Sequence, residues 1–204
     1  ADAEYSIFEL GMNHAGEIQE LVAQVRPHIA IITTIEPVHI EFFKNEEGIA
    51  DAKSEIFTAM EGEGIAILNM DNPHFKRIKE NAEKLGIKQI YTFGESEEAN
   101  SRLLDCSLCH DHVKATTKIF GQLVKYKINI AGKHTALNSL NVLTVAKILG
   151  LDVTKAAISL KESVPVTGRG NKIKVKIKEG APDITVIDET YNASPVAMRA
   201  AFEV

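Results

Sequence analysis

From residue 4 to residue 93 the hydrophobic pattern switches repeatedly between period two and period 3.6, and that alternation limits the chain to few architectures. Tyr5 to Leu10 alternates and stops at Gly11, which predicts a strand. Ile18, Leu21, Val22 and Val25 then fall on one helical face, and Pro27 ends that helix. His28 to Ile35 (HIAIITTI) is a nearly continuous apolar, β-branched run, as in a strand buried inside a parallel sheet. The spacing predicts a helix over 46–60, a strand over 64–69, a helix over 74–85 stopping at Gly86, and a strand over 88–93. Strands alternating with helices imply a parallel sheet covered by helices, with right-handed crossovers. Such sheets bind ligands beyond the carboxyl ends of their strands. Glu9, the stretch Thr34 to His39 and the stretch Asn69 to Asn72 sit at those ends.

The second half changes character. Short strand-like runs over 103–108, 112–119 and 123–130, with Gly121 in a turn, predict a small antiparallel sheet. Gly132 introduces a helix over 134–149 that ends at Gly150, and a shorter helix follows over 153–161. After Gly168-Arg169-Gly170 come strand-like runs over 172–178 and 184–188, and Pro195 reads as a break before a helix still in progress at Val204. The expected fold class is therefore α/β: a mostly parallel sheet flanked by helices, with a small antiparallel sheet. There is no internal repeat.

Composition narrows the function classes. The balance of 23 basic against 28 acidic residues gives a formal charge of −5, which argues against a nucleic-acid-binding face. No apolar window is long enough to predict a membrane span. Two cysteines do not make a disulfide framework, and the start of the chain does not read as a signal peptide, so a cytoplasmic protein is expected. The abrupt start at ADAEYSIFELG and the end inside SPVAMRAAFEV suggest a piece of a longer polypeptide.

Each candidate for chemistry also has an ordinary reading. Cys106-Ser-Leu-Cys109-His110 matches a haem-attachment pattern, and Cys106, Cys109, His110 and His112 could ligate zinc. The ordinary alternative, reduced cysteines in a small sheet, is favoured because no second ligand pair follows. Glu9 is either an exposed strand-end carboxylate or an oxygen ligand for Mg²⁺. His39, in E-P-V-H-I-E, is a loop histidine or a ligand, and Lys53, in A-K-S-E-I-F, is a solvated helix lysine or something more. Asn13-His14-Ala-Gly16-Glu17 supplies ordinary turn and capping residues, or amides facing a ligand. Arg169 in its glycine turn suits a phosphate, and the run Asp188 to Pro195 is a loop on either reading. The phosphate-cradling loop G-x-x-x-x-G-K-[ST] does not occur in the chain.

Taken in order, E-L-G-M-N-H-A-G-E-I (9–18), I-E-P-V-H-I-E-F-F (35–43), A-K-S-E-I-F (52–57), L-N-M-D-N-P (68–73), G-K-H-T-A-L-N (132–138), G-R (168–169) and I-D-E-T-Y-N-A-S-P-V-A-M (187–198) resemble the central, ATP-binding domain of the Mur ligase family. Within it, the N-H-x-G-E-I and Y-N-A-x-P segments point to the member that joins D-Ala-D-Ala to UDP-N-acetylmuramoyl-tripeptide. The resemblance implies ATP-dependent amide formation through an acyl phosphate, in peptidoglycan precursor synthesis. It implies that Glu9 and His39 are Mg²⁺ ligands and that Lys53 is a lysine carbamylated by CO₂, becoming an anionic metal ligand. It implies that His134 and Asn138 lie near adenine, Arg169 near the ATP phosphates and Asp188 near the ribose. Tyr191 and Asn192 fall in the hinge motif, and Asn13 and His14 face the muramoyl-peptide.

The same resemblance implies a boundary. Residues 1–190 correspond to the central domain without its P-loop segment, and residues 191–204 to the hinge and the start of the C-terminal domain. The N-terminal UDP-sugar domain has no counterpart, so no turnover is expected from these 204 residues alone. Three positions depart from the usual pattern: Thr34 and Ser194 each replace an Asn, and Thr135 replaces the first Asn of H-N-x-x-N. The alternative readings are another Mur ligase, a folylpolyglutamate-synthase-like ligase, or a non-catalytic nucleotide-binding module.

Overall fold

The computed structural model describes residues 3–37, 40–60, 63–109, 111–178, 182–191 and 194–202, without the side chain of Val196. The chain divides into two compact units, Ala1–Asn100 and Ser101–Val204.

In the first unit, α1 (Glu17–Val25), β1 (Ile29–Ile32), α2 (Glu46–Ser54), β2 (Ile65–Asn69), α3 (Phe75–Lys84) and β3 (Gln89–Gly94) follow one another. The strands pair in parallel with β2 in the middle, Ile29 opposite Ile65 and Ile65 opposite Gln89. That is the predicted alternating architecture. The helix expected over 46–60 is shorter: α2 tightens into a 3-10 turn at Glu55–Phe57. Its start is well specified, because the Asn45 side chain accepts the Gly48 N–H at 3.0 Å and Glu46 and Glu47 occupy the first turn. Lys53 lies in the last turn, where a cation complements the helix dipole.

Ala30, Ile32, Ile49, Ala50, Phe57, Ala66, Leu68, Ile78 and Ala82 form one buried cluster, which packs α2 and α3 on the sheet. The 3.6 spacing of Ile78 and Ala82 on α3 places both inward while its charged residues stay outside.

The strand expected over 5–10 is not a strand. Residues 5–12 carry no assigned element, and Tyr5, Ile7 and Phe8 are exposed, Ile7 at 96%. Alternation specifies which residues can share a sheet face, but a strand also needs a neighbour to complete its backbone hydrogen bonds. No described strand pairs with this segment or with the outer edge of β1.

In the second unit, β4 (Ser101–Leu108), β5 (Val113–Ile119) and β6 (Gln122–Ile128) pair antiparallel, as expected. Along β5, Val113, Ala115, Thr117 and Ile119 alternate inward. Helix α4 (Lys133–Ile148) packs on β4 and β5 through Ala136, Leu140, Leu143 and Ala146, and α5 (Val153–Ser159) packs on β6 and α4. The Asp152 carboxylate caps α5 by accepting the Thr154 and Lys155 N–H groups. The strands β7 (Asn171–Val175) and β8 (Ile184–Asp188) pair with each other as an antiparallel ribbon. Helix α6 (Pro195–Phe202) follows. Pro195, read as a break, is instead its first residue, a position where the missing N–H is not needed. The Ser194 hydroxyl accepts the Ala197 N–H at 3.3 Å, so this departure from the family's Asn keeps a capping side chain. No helix among the described residues is long and apolar enough to cross a membrane.

Asn141 on α4 is 4% exposed, and neither its Nδ2 nor its Oδ1 has a hydrogen-bond partner among the described residues. A buried amide without partners lowers stability, while a leucine of similar volume does not. Asn141→Leu is expected to raise stability by about 1 kcal/mol, read as an upward shift of the urea midpoint. An unchanged or lower midpoint would mean that the amide is satisfied.

Candidate functional site

In the first unit the parallel strands deliver their carboxyl ends to one edge, and loop residues tie those ends together there. The Asn69 amide donates to the Thr33 carbonyl at 3.0 Å. The Asn72 amide donates to the Ile35 carbonyl at 3.1 Å and to the Thr34 hydroxyl at 3.2 Å. The same Thr34 hydroxyl donates to the Glu36 carboxylate at 3.2 Å. The Lys53 ammonium arrives from α2 and donates to the Thr34 carbonyl at 3.0 Å. Thr34 is thus the node where three expected segments, 35–43, 52–57 and 68–73, meet.

Burial of Lys53 holds its ammonium below the ordinary lysine value of 10.5, and the nearby Glu36 carboxylate opposes that shift. Desolvation favours the neutral amine, the form that adds to CO₂. Lys53 is therefore not the solvated helix lysine of the ordinary reading.

The turn from Asn13 to Gly16 is held from several directions. Glu17 accepts the Asn13 N–H at 2.7 Å and contacts the His14 ring at 3.0 Å, and these hydrogen bonds hold its carboxyl below the usual range. The His14 ring packs on Phe42, with centroids 4.5 Å apart. Gly16 caps α1 with φ of 93°, a left-handed conformation costly for any other residue. Having no side chain, it leaves the first amides of α1 to the Glu55 carboxylate, which accepts from Gly16 N–H at 2.8 Å and Gln19 N–H at 3.2 Å.

In the second unit, Gly168-Arg169-Gly170 docks on the end of β8. The Gly170 N–H donates to the Asp188 carbonyl and the Tyr191 N–H to the Gly168 carbonyl. A Cβ at Gly168 would lie 3.0 Å from Tyr191 atoms, and its φ of 77° also selects glycine. The Arg169 guanidinium lies over the Tyr191 ring, 4.3 Å from the centroid. The Asp188 carboxylate accepts from the Thr190 hydroxyl at 2.7 Å and its N–H at 3.1 Å, which lowers its pKa. His134 and Asn138 are exposed one turn apart at the start of α4. The Thr135 hydroxyl turns inward to the Ala131 carbonyl at 3.1 Å, so it closes the helix start.

The structure thus brings together Asn13, His14 and Glu17 in one turn, and Arg169, Asp188 and Tyr191 in one ribbon end. Glu9 is exposed in the stretch before α1. His39, Asn192 and His110 lie outside the described residues. Cys106 and Cys109 are not joined in a disulfide, and the Cys109 N–H donates to the His112 carbonyl across the β4–β5 turn. Glu36, Phe42, Glu55 and Asn72 were not singled out as site residues from sequence. Glu55 and Phe42 lie inside quoted segments, but their partners are a backbone amide and a ring far along the chain, which no local spacing reveals.

Among the described residues, no group of three or more His, Cys, Asp or Glu is placed to hold a metal. The donor chemistry still suits a hard divalent cation: Glu9 offers a carboxylate, and a carbamylated Lys53 would offer oxygens. A complete set requires that modification and His39.

The family model described as Mur ligase middle domain matches residues 1–146. A UDP-N-acetylmuramoyl-tripeptide–D-alanyl-D-alanine ligase of Rickettsia prowazekii is 39% identical over 99% of this chain and 44% of its own length. Among solved structures, MurF from Acinetobacter baumannii superposes with a TM-score of 0.81 at 29% identity, covering 95% of this chain and 40% of that one. MurF ligase from Thermotoga maritima, solved in complex with ADP, superposes with a TM-score of 0.74 at 27% identity over 93% of this chain and 41% of that one. The chain spans less than half the length of these relatives.

The Lys53 shift has a consequence for stability. Between its lowered folded value and 10.5 the unfolded chain binds more protons at this site than the folded one, so stability rises with pH there. The rise is complete above 10.5 and absent below the folded value. Lys53→Met is expected to remove this contribution, seen as a flatter plot of urea midpoint against pH from about 7 to about 11. Parallel plots for the two proteins would show that Lys53 is not desolvated.

Proposed function

The chain belongs to the Mur ligase family, and from that premise we propose that it forms the nucleotide-binding middle portion of a ligase that joins D-Ala-D-Ala to UDP-N-acetylmuramoyl-tripeptide. The observation that carries the reading is the half-buried Lys53 amine, drawn to the Thr34 carbonyl at the carboxyl edge of a parallel sheet. A lysine serving only solubility would not be desolvated there. The name of the relative aligned over 99% of the chain supports the choice of acceptor, and the ADP bound by the Thermotoga maritima ligase supports a nucleotide.

The proposed reaction proceeds in two displacements. The terminal carboxylate of the tripeptide attacks the γ-phosphorus of ATP and ADP departs, leaving an acyl phosphate. The amine of D-Ala-D-Ala then attacks the acyl carbon, phosphate leaves, and the amine gives up a proton. There is little covalent work for the protein, which contributes positioning and electrostatics. On this reading Arg169 meets the ATP phosphates, its guanidinium oriented by stacking on Tyr191. Asp188, kept ionised by Thr190, accepts from a ribose hydroxyl, and His134 and Asn138 line the adenine. Asn13 and His14 face the muramoyl-peptide on a turn stiffened by Glu17 and Phe42. Tyr191 and Asn192 lead into the hinge.

Glu9, His39 and carbamylated Lys53 would hold Mg²⁺, which when bound neutralises charge on phosphate oxygens. The support is the donor chemistry and the neutral form that burial favours at Lys53. The proposed use of ATP and a nucleotide-linked substrate supports a cytoplasmic location.

The ligase carrying this chain is expected to release phosphate from ATP when given UDP-N-acetylmuramoyl-tripeptide and D-Ala-D-Ala. Glutamate or a diamino acid should not replace the dipeptide. Turnover with either of those acceptors instead would reassign the enzyme within the family. Lys53→Arg keeps a cation but cannot carry a carbamate, and is expected to lower kcat by at least about a hundredfold. Turnover close to that of the unaltered enzyme would remove Lys53 from the site.

A further inference from the structure

We infer that Glu55 is a positioning residue that holds the Asn13–Gly16 turn in register with Lys53, so that the muramoyl-peptide is presented at a fixed distance from the α2 end of the site. This rests on the functional reading above, which gives Asn13 and His14 the peptide and Lys53 the phosphate side.

The argument begins with a missing cap. A helix start is normally closed by the side chain of its own N-cap, accepting the N–H three residues on. At α1 that residue is Gly16, which makes no side-chain cap. The Glu55 carboxylate does the work from 39 residues away. Its Oε1 and Oε2 accept the Gly16 N–H at 2.8 and 3.0 Å, and Oε2 also accepts the Gln19 N–H at 3.2 Å. An anion on these amides is further favoured by the positive end of the helix dipole.

A local cap would stabilise α1 and nothing else. A remote cap also ties the N-terminus of α1 to the C-terminus of α2. The Glu55 main chain is itself anchored: its N–H donates to the Ala52 and Lys53 carbonyls, and its own carbonyl accepts the Thr58 hydroxyl at 2.7 Å. Only one residue separates it from Lys53 in the chain. The clamp therefore joins two parts of the site through a few rigid bonds. Glu17 shapes the Asn13–Gly16 turn from inside, and Glu55 places that turn relative to Lys53.

The test is made in the full ligase with Glu55→Ala and Glu55→Gln. Removing the clamp should lower kcat/KM for UDP-N-acetylmuramoyl-tripeptide by about tenfold or more while the KM for ATP stays within about twofold, since small displacements of a bound reactant cost rate steeply. The glutamine variant keeps an oxygen acceptor and loses the charge, so it should fall between the alanine variant and the unaltered enzyme. A merely structural role predicts something else: fewer folded molecules, a lower apparent kcat, and both KM values unmoved. That pattern, or equal shifts in both KM values, would overturn the proposal. Amide hydrogen exchange gives a readout independent of turnover, with Gly16 and Gln19 expected to exchange faster in Glu55→Ala. Unchanged exchange would show that Glu55 does not hold these amides. Failure of the unaltered enzyme to use D-Ala-D-Ala would instead defeat the functional reading, and exchange alone would then decide whether the clamp exists.

Discussion

Parallel pairing of β1, β2 and β3 is the constraint on which the first unit depends. Parallel strands all end at the same edge, so the loops that follow them are brought side by side whatever their separation in the chain. The carbonyl groups of Thr33, Thr34 and Ile35, beyond the end of β1, need hydrogen-bond donors. Side chains from the next strand end and from α2 supply them: Asn69, Asn72 and Lys53. Satisfying backbone groups at the strand ends and assembling a polar site are here the same event.

The charged groups at these sites are tuned in opposite directions. Lys53 is desolvated and gives up its proton more readily than a free lysine. Glu17, Asp51 and Asp188 accept hydrogen bonds from neighbouring donors and keep their negative charge to lower pH than free carboxyls. Asp51 does so in a bidentate pair with Arg77 that joins α2 to α3. Among the described residues, the first unit therefore combines a weakened cation with carboxylates held ionised.

In the second unit the organising contacts are local in space but not in sequence. The Gly168-Arg169-Gly170 turn is tied to the end of β8 by backbone hydrogen bonds, and its arginine rests on an aromatic ring just past that strand. Packing against Tyr191 limits the freedom of a long side chain before it meets any ligand, which reduces the entropy lost on binding.

Apolar runs and periods, caps and turn residues were enough to set the class of α1 to α5 and β1 to β6 in advance, because each buries apolar residues in a pattern its own sequence carries. The family was legible too, since the ordered strings around Asn13, Lys53, Asn138, Arg169 and Asp188 are local in the chain. Tertiary structure decided the rest. Tyr5 to Leu10 alternates like a strand but forms none, because a ladder needs a partner that its own residues do not encode. Spacing alone left Lys53 open between a solvated helix lysine and something more, and only the fold shows it desolvated and bonded to the Thr34 carbonyl. Glu55 and Asn72 gained their roles from main-chain groups, which have the same chemistry at every position. Amides and carbonyls are invisible in a pattern of side chains, and only folding determines which of them a carboxylate or an amide side chain will meet.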